Sequence, residues 1–395
     1  MITGNAKLVV DLGNSETRIA VMFGKKPGKD EPKRRIRTFS NRYYSLSNNK
    51  EWQPAKTAKI EDANIFDVEY PVAGRYATGS VLDREFAANC IRPTSLDKKH
   101  SAIITFITFN KIFYEAYQAL AEITNTDVES LDVTWDIALL LPPAEVALGI
   151  GEIGAGIRSI KEINFVRPHL HKEVKVNNIE VYPEGVSAFF NYSISPDWEV
   201  MDENDYLNDT RILLVDIGAG TTDISLMDHG EALNEAQDTI STGGNSLNSK
   251  VMSLIRKGEG INITPAATQQ AIITGKTKDG GKEINIVPYI NQANEMVADT
   301  INRGIIEYLE SNQIAISGIE YLLVFGGGSM KSNADGVVSI SEYIINRIKG
   351  YAPNIQLLGL PANKEGSVMS PRMMNIYGAC AMMYVSSLSE EEDDE

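Results

Sequence analysis

Two stretches of the chain place an aspartate, a glycine and a threonine at the same spacing. The first is LVVDLGNSETRIAV, beginning at Leu8, and the second is LLVDIGAGTTDISL, beginning at Leu213. They align without a gap: Asp11 with Asp216, Gly13 with Gly218, Thr17 with Thr222, Ile19 with Ile224. In each, an apolar run stops at a carboxylate, passes through a short loop and resumes. Glycine gives such a loop its backbone freedom. Successive backbone N–H groups in a tight turn can converge on one concavity and hold phosphate oxygens. The hydroxyls of Ser15, Thr221 and Thr222 would add donors. A carboxylate cannot touch phosphate directly, because the charges repel. It can hold the water shell of Mg²⁺, which sheds its waters reluctantly and favours carboxylates. Two such loops facing each other would grip a nucleotide's phosphates from both sides.

Two further motifs add to this. VFGGGSM, ending at Met330, follows an apolar run with Gly326, Gly327 and Gly328. The missing side chains would let a flat group such as ribose or adenine approach the backbone, although alone the motif is no more than a glycine-rich helix entry. VYPEG puts Glu184 directly after Pro183, where a glutamate could serve chemistry or merely suit the dipole of a helix start. Short glycine motifs recur by chance. Two gapless copies accompanied by a third glycine loop argue for a phosphate site.

The elements that would position these residues alternate between strand and helix. Residues 7–23 and 211–228 each read as strand, loop, strand. Residues 25–38 are polar and basic and read as a surface loop or linker. Residues 101–124 have helical length and apolar spacing, and 133–143 read as a buried strand stopped by two prolines. Residues 172–192 give two alternating strands and then Pro183 and Glu184 in the first turn of a helix. Helices are expected over 243–257, over 264–276 with Thr264 as N-cap and Pro265 after it, over 288–312 and over 370–388. Residues 319–330 read as a strand running into the three glycines. The methionines at 369, 373, 374, 382 and 383 read as core filling. His169 and His171 receive no role. The acidic run 389–395 reads as disordered. This alternation implies an α/β architecture with a mixed sheet in each half.

A chain of 395 residues exceeds one simple core and suits two domains of common size. A net charge of −16 excludes a broad basic surface for nucleic acid, while leaving a basic protein partner open. Cys90 and Cys380 follow no metal or redox spacing and read as free buried thiols in a reducing cytoplasm. The N-terminus shows no signal peptide pattern, and no apolar run approaches the ~20 residues that span a bilayer. The expectation is a soluble cytoplasmic protein without a membrane partner.

Taken together, the two Asp-x-Gly hairpins, VYPEG and FGGGSM resemble the phosphate-1, phosphate-2, connect and adenosine motifs of the actin, sugar kinase and heat-shock chaperone superfamily. The order LLLPP, paired strands, YPEG and LLVDIGAGTTDIS resembles its plasmid-segregating bacterial actins of the ParM type. The resemblance implies two related actin-like (ribonuclease H-like) domains with mixed sheets around a nucleotide cleft, each with a smaller inserted subdomain. The expected domains are 1–190, with an insertion at about 36–90, and 191–388, with an insertion at about 260–315, followed by the acidic tail.

By position, Asp11 and Asp216 would order the Mg²⁺ waters, and Glu184 would position or activate the attacking water. Gly13, Asn14 and Ser15 would contact phosphate from one side. Gly218, Gly220, Thr221 and Thr222 would do so from the other, and Gly243 and Gly244 at the next helix start would also bind the nucleotide. Gly326, Gly327, Gly328 and Ser329 would lie beneath adenosine. Arg18 stands where relatives commonly carry a phosphate-contacting lysine, a departure that leaves its role open. Asn375, Tyr377 and Gly378 resemble the second connect segment, a hinge in the family.

The implied activity is an ATPase, with GTP as a second candidate nucleotide, whose helical filament segregates plasmid or phage DNA through a DNA-bound adaptor of the ParR type, and whose hydrolysis controls disassembly. A small-molecule kinase or a cytoskeletal scaffold of the same superfamily is the alternative. No acceptor-sugar pattern supports a kinase, no peptide-binding domain a heat-shock chaperone, and no amphipathic terminus a membrane-tethered scaffold.

Overall fold

The repeated motif folds twice into the same strand arrangement. A computed structural model describes residues 1–13, 16–24, 33–46, 63–68, 73–79, 91, 101–198, 200–329, 332, 334–362 and 366–392. The chain divides into two units, one of Met1–Leu141, Glu145–Tyr182 and Met382–Glu395, the other of Pro142–Ala144 and Pro183–Ala381. The connect segment from Pro183 therefore belongs with the second unit, a boundary earlier than the expected residue 190, and the end of the chain returns to the first.

In chain order the first unit contains strands β1 (Ile2–Asp11), β2 (Glu16–Phe23), β3 (Lys33–Ser40), β4 (Tyr44–Ser45), β5 (Asn64–Val68) and β6 (Gly74–Thr78), and helix α1 (Ala102–Thr124). Strand β7 (Leu131–Leu141), helix α2 (Pro143–Ser159) and strands β8 (Glu162–Arg167), β9 (Leu170–Glu173) and β10 (Lys175–Pro183) follow. One sheet has the order β10-β7-β1-β2-β3. Its centre is apolar on both faces: Leu8, Val9 and Val10 of β1 are fully buried, as are Ile137 to Leu141 of β7. β1 runs antiparallel to β2 and parallel to β7, with Asp11 opposite Arg18 on one side and Leu140 on the other. α1 starts at the N-cap Ser101, ends at Asn125 in the left-handed conformation, and buries Phe109, Phe113 and Tyr117 against Trp135 of β7 and their neighbours.

Two expectations are corrected here. Residues 33–38 are not loop; they form most of β3, the strand at one end of the sheet. Its charges are matched by α1: Arg35 Nε donates to Glu122 at 2.6 Å, and Arg37 pairs with Glu115 at 3.4 Å and with Glu122. A strand end rich in such charges also resists pairing with another chain. Glu115 further accepts from the buried Lys111 at 2.5 Å; burial pushes that ammonium's pKa down and Glu115 pulls it back. The inserted subdomain, expected over 36–90, instead builds its sheet β4-β6-β5-β8-β9 by borrowing 162–173. Cys90 lies outside the described residues.

The second unit contains the short helix α3 (Val186–Phe189), strands β11 (Arg211–Ile217), β12 (Thr222–Asp228) and β13 (Glu231–Ile240), helices α4 (Gly244–Glu259) and α5 (Pro265–Thr274), and hairpin β14 (Lys276–Asp279) and β15 (Lys282–Asn285). It continues with α6 (Val287–Ser311), β16 (Tyr321–Phe325), α7 (Ile340–Ile348), β17 (Gln356–Leu357) and the start of α8 (Met374–Glu392), whose residues from Met382 belong to the first unit. The sheet order β13-β12-β11-β16-β17 repeats the plan of the first. So does the register: Val215 faces Ile224 as Val10 faces Ile19, and Asp216 faces Asp223 as Asp11 faces Arg18. β11 runs parallel to β16, which puts Asp216 beside Phe325.

α6 is only partly an insertion. Ile290 and Ala293 pack with Val251, Ile255 and Ala271, whereas Val297, Ile301 and Ile305 pack beneath the sheet against Leu213, Val215 and Ile224. The acidic run, expected to be disordered, continues α8 as far as Glu392; residues 393–395 lie outside the described residues.

Candidate functional site

Each motif aspartate stands at the carboxyl end of a strand paired in parallel with a neighbour, Asp11 as the last residue of β1 and Asp216 one before the last of β11, and ligands of open α/β sheets collect at such ends. In the first hairpin Asp11 is 6% exposed. Arg18 Nη1 donates to its Oδ2 at 2.8 Å, and Nη2 lies 3.6 Å from Glu16. The residue whose role the sequence left open is thus the counter-ion of the first aspartate. Its Nε is buried with no hydrogen-bond partner. The loop is stapled by a residue that sequence reasoning missed. Asn41, just past β3, accepts from the Thr17 hydroxyl at 2.6 Å and donates to the Gly13 carbonyl at 2.6 Å. A β-carbon on Gly13 would sit 3.0 Å from the Glu16 carbonyl. Asn14 and Ser15 lie outside the described residues.

The second hairpin carries a half-buried loop over residues 218–221. Gly218 N–H donates to the Thr221 carbonyl at 2.9 Å, closing the turn. The loop's own carbonyls are capped by the start of α4: Gly244 N–H donates to Gly218 at 2.9 Å and Asn245 N–H to Ala219 at 2.8 Å. Gly243 is needed for this approach, since a β-carbon there would lie 2.7 Å from the Gly218 carbonyl. Gly243 and Gly244 therefore shape the loop, and the Gly244 amide is engaged within the fold. Thr222 turns inward. It is fully buried and its hydroxyl donates to the Thr242 carbonyl at 2.6 Å, the same inward use that Thr17 makes of Asn41. Among the loop hydroxyls of this hairpin, the partly exposed Thr221 remains the candidate.

The glycine triplet divides in the same way. Gly326 has φ +90°, and a β-carbon there would overlap Asp216 Oδ1. One on Gly328 would lie 2.6 Å from Ile217 Cγ2 and 2.9 Å from the Gly218 carbonyl. These two glycines let the turn pack against the end of β11. Gly327 is exposed, with only the Arg372 stem near its face, and is the position open to a ligand. Ser329 is buried and donates to the Gly326 carbonyl at 2.8 Å.

Pro183 is the last residue of β10 and Glu184 stands in a turn before α3, not inside a helix as expected. Proline suits the strand end because no ladder N–H is required there. The turn is heavily determined. Gly185 has φ +83°, and a β-carbon on it would come within 2.8 Å of Ser225 Oγ. Gly185 N–H donates to Asn375 Oδ1 at 2.9 Å, and Asn375 Nδ2 donates to Asp216 Oδ2 at 2.6 Å. The second unit thereby brings together Asp216, the Glu184 turn, the 218–221 loop and the glycine turn. Asn191 ties α3 to the Met374 carbonyl at 2.8 Å.

Among the described residues no group of three or more His, Cys, Asp or Glu is placed to hold a metal directly. A hydrated Mg²⁺ is held through water by one or two carboxylates plus phosphate oxygens. Asp216 fits this use, with a neutral amide on one oxygen. Asp11 fits it less well, because its charge is already matched by Arg18.

This topology is the actin-like fold. Residues 214–333 match the family of archaeal MreB-like actin homologues, in its C-terminal part. Solved structures share the fold across almost the whole chain. The actin-like protein Alp7A is 15% identical with a TM-score of 0.67, covering 99% of each chain. The archaeal actin homologue Ta0583 is 14% identical with a TM-score of 0.62, covering 96% of this chain and 99% of its own. A 15-stranded ParM filament from Clostridium botulinum is 16% identical with a TM-score of 0.60, covering 97% and 99%. The sequence itself matches no curated protein.

Proposed function

We propose that this chain is a nucleotide-driven, self-assembling actin-like ATPase, binding Mg-ATP through its two Asp-x-Gly hairpins and forming filaments that hydrolysis dismantles. The observation that carries the proposal is the duplicated hairpin itself: one register used twice, each copy ending in a nearly buried carboxylate at the end of a parallel strand pair. A fold needs no second carboxylate-and-glycine turn for stability, since buried charge is costly without a use or a partner. Two relatives support the reading: Ta0583 has been solved with ADP, and the Clostridium botulinum ParM as a filament.

In this proposal the amides of the loop 218–221 and the Thr221 hydroxyl hold phosphate oxygens, and Gly327 lies beneath the base and ribose. Asp216 holds the waters of Mg²⁺, and Asp11 orients Arg18 toward phosphate. Mg²⁺, when bound, neutralises charge on the transferred phosphoryl group. Glu184 orients the attacking water and accepts its proton. GTP is a second candidate nucleotide, because glycines under a purine discriminate little.

The finer reading is that the filament moves plasmid or phage DNA through a basic, DNA-bound adaptor of the ParR type. A net charge of −16 suits that division of labour, since an acidic filament repels bare phosphates and attracts a basic partner. No helix among the described residues is long and apolar enough to cross a membrane. Right-angle light scattering with negative-stain microscopy tests assembly. Mg-ATP is expected to raise scattering and produce filaments, followed by a decline as phosphate is released, while ADP does neither. Scattering that stays flat with Mg-ATP at tens of micromolar protein would remove the filament reading.

A further inference from the structure

Asn375 connects two groups that belong to different motifs and lie far apart in sequence. Its Nδ2 donates to Asp216 Oδ2 at 2.6 Å and its Oδ1 accepts from Gly185 N–H at 2.9 Å. Only one orientation of the amide serves both. Turned over, it would set a donor against the Gly185 N–H and an acceptor against the carboxylate. The amide is held in place because it stands at the start of α8, whose Met374 carbonyl is itself bonded by Asn191. The contrast with the first hairpin is informative. There the corresponding carboxylate, Asp11, is met by the cation Arg18. At Asp216 a neutral amide meets one carboxylate oxygen.

We propose that Asn375 is a positioning residue for hydrolysis, linking the metal-shell carboxylate Asp216 to the turn that presents Glu184. This rests on the nucleotide reading above and assigns the residue that couples its two halves within the second unit. The bridge holds the Gly185 amide, and with it the preceding Glu184, in a fixed relation to the carboxylate that would hold the waters of Mg²⁺. Asn375 touches neither phosphate nor water in this scheme. Its loss lets Glu184 wander without removing a ligand contact.

The test is a double-mutant cycle with Asn375→Ala and Glu184→Gln, read by phosphate release and by calorimetric Mg-ADP binding. Asn375→Ala is expected to lower kcat by roughly 10- to 100-fold, the scale of an ångström-sized misplacement, while Kd for Mg-ADP moves by less than about threefold. Combined with Glu184→Gln it is expected to add almost nothing, because both changes remove one unit of function. Hydrogen exchange at the Gly185 amide, measured without nucleotide, is expected to accelerate. Asn375→Asp keeps the acceptor for Gly185 but sets two carboxylates together; it should lose turnover similarly and serves where the alanine variant does not fold. Full kcat in both variants, or losses that multiply in the double mutant, would overturn the inference while wild-type turnover left the nucleotide reading standing. A wild-type chain that neither binds nor hydrolyses nucleotide would overturn that reading, and this inference with it.

Discussion

Glu184→Ala is expected to slow phosphate release at least ~100-fold, the scale of a lost general base, while leaving Mg-ATP binding and filament formation in place. The expectation follows from where the carboxylate stands. Glu184 precedes a left-handed glycine whose amide is fastened, through Asn375, to Asp216. These fastenings run through the Gly185 amide and Asn375, so alanine keeps them and removes the acid–base group. Filaments of the variant should therefore form with Mg-ATP and persist where wild-type filaments disassemble. Phosphate release measured under saturating Mg-ATP decides the matter. An unchanged rate would assign the water to another residue.

Gly378→Ala is expected to cost more than ~4 kcal/mol of folding stability or to prevent folding, an effect confined to a few mechanisms such as backbone overlap in a core. A β-carbon on Gly378 would overlap the Ser187 carbonyl oxygen, where α8 crosses α3. Both partners are backbone, so no rotamer change relieves the clash. Gly151 on α2 is the internal control, because a β-carbon there meets nothing within 4 Å. Gly151→Ala should be neutral or stabilising by up to ~1 kcal/mol, the ordinary helix preference for alanine. Urea unfolding of the two variants separates them; equal stability would mean that the helices can part at little cost.

The hairpins were legible because their pattern is local. A gapless repeat fixes strand, loop and strand together, and the folded register reproduces it residue for residue, from Val10 and Ile19 to Val215 and Ile224. The helices 102–124, 265–274 and 287–311 were legible from apolar spacing and from caps such as Thr264, whose hydroxyl accepts from Ala267 N–H. What the sequence hid is long-range polar pairing. Asn41 reaches Thr17 across 24 residues and Asn375 reaches Asp216 across 159, and an asparagine carries no sign of either partner. β3 read as a basic loop because the carboxylates that receive Arg35 and Arg37 lie on α1.

The packing use of the glycines was hidden for a related reason. Gly326 and Gly328 lack side chains so that backbone can meet backbone, and close packing leaves the same mark in sequence as ligand approach does. Thr222 shows the complement: a hydroxyl in a phosphate-loop pattern that turns inward to Thr242. α7 was missed although its capping box, Ser339 with Glu342, stands in the sequence as a local start signal.

Calorimetric titration of ATP into the protein, with and without Mg²⁺, tests the central claim most directly, namely that the duplicated Asp-x-Gly hairpins are phosphate-binding loops. Saturable binding that strengthens with Mg²⁺ and loses that strengthening in Asp216→Ala is the predicted result. Binding of neither ATP nor GTP in the presence of Mg²⁺, by a chain that unfolds cooperatively and is therefore native, would contradict it.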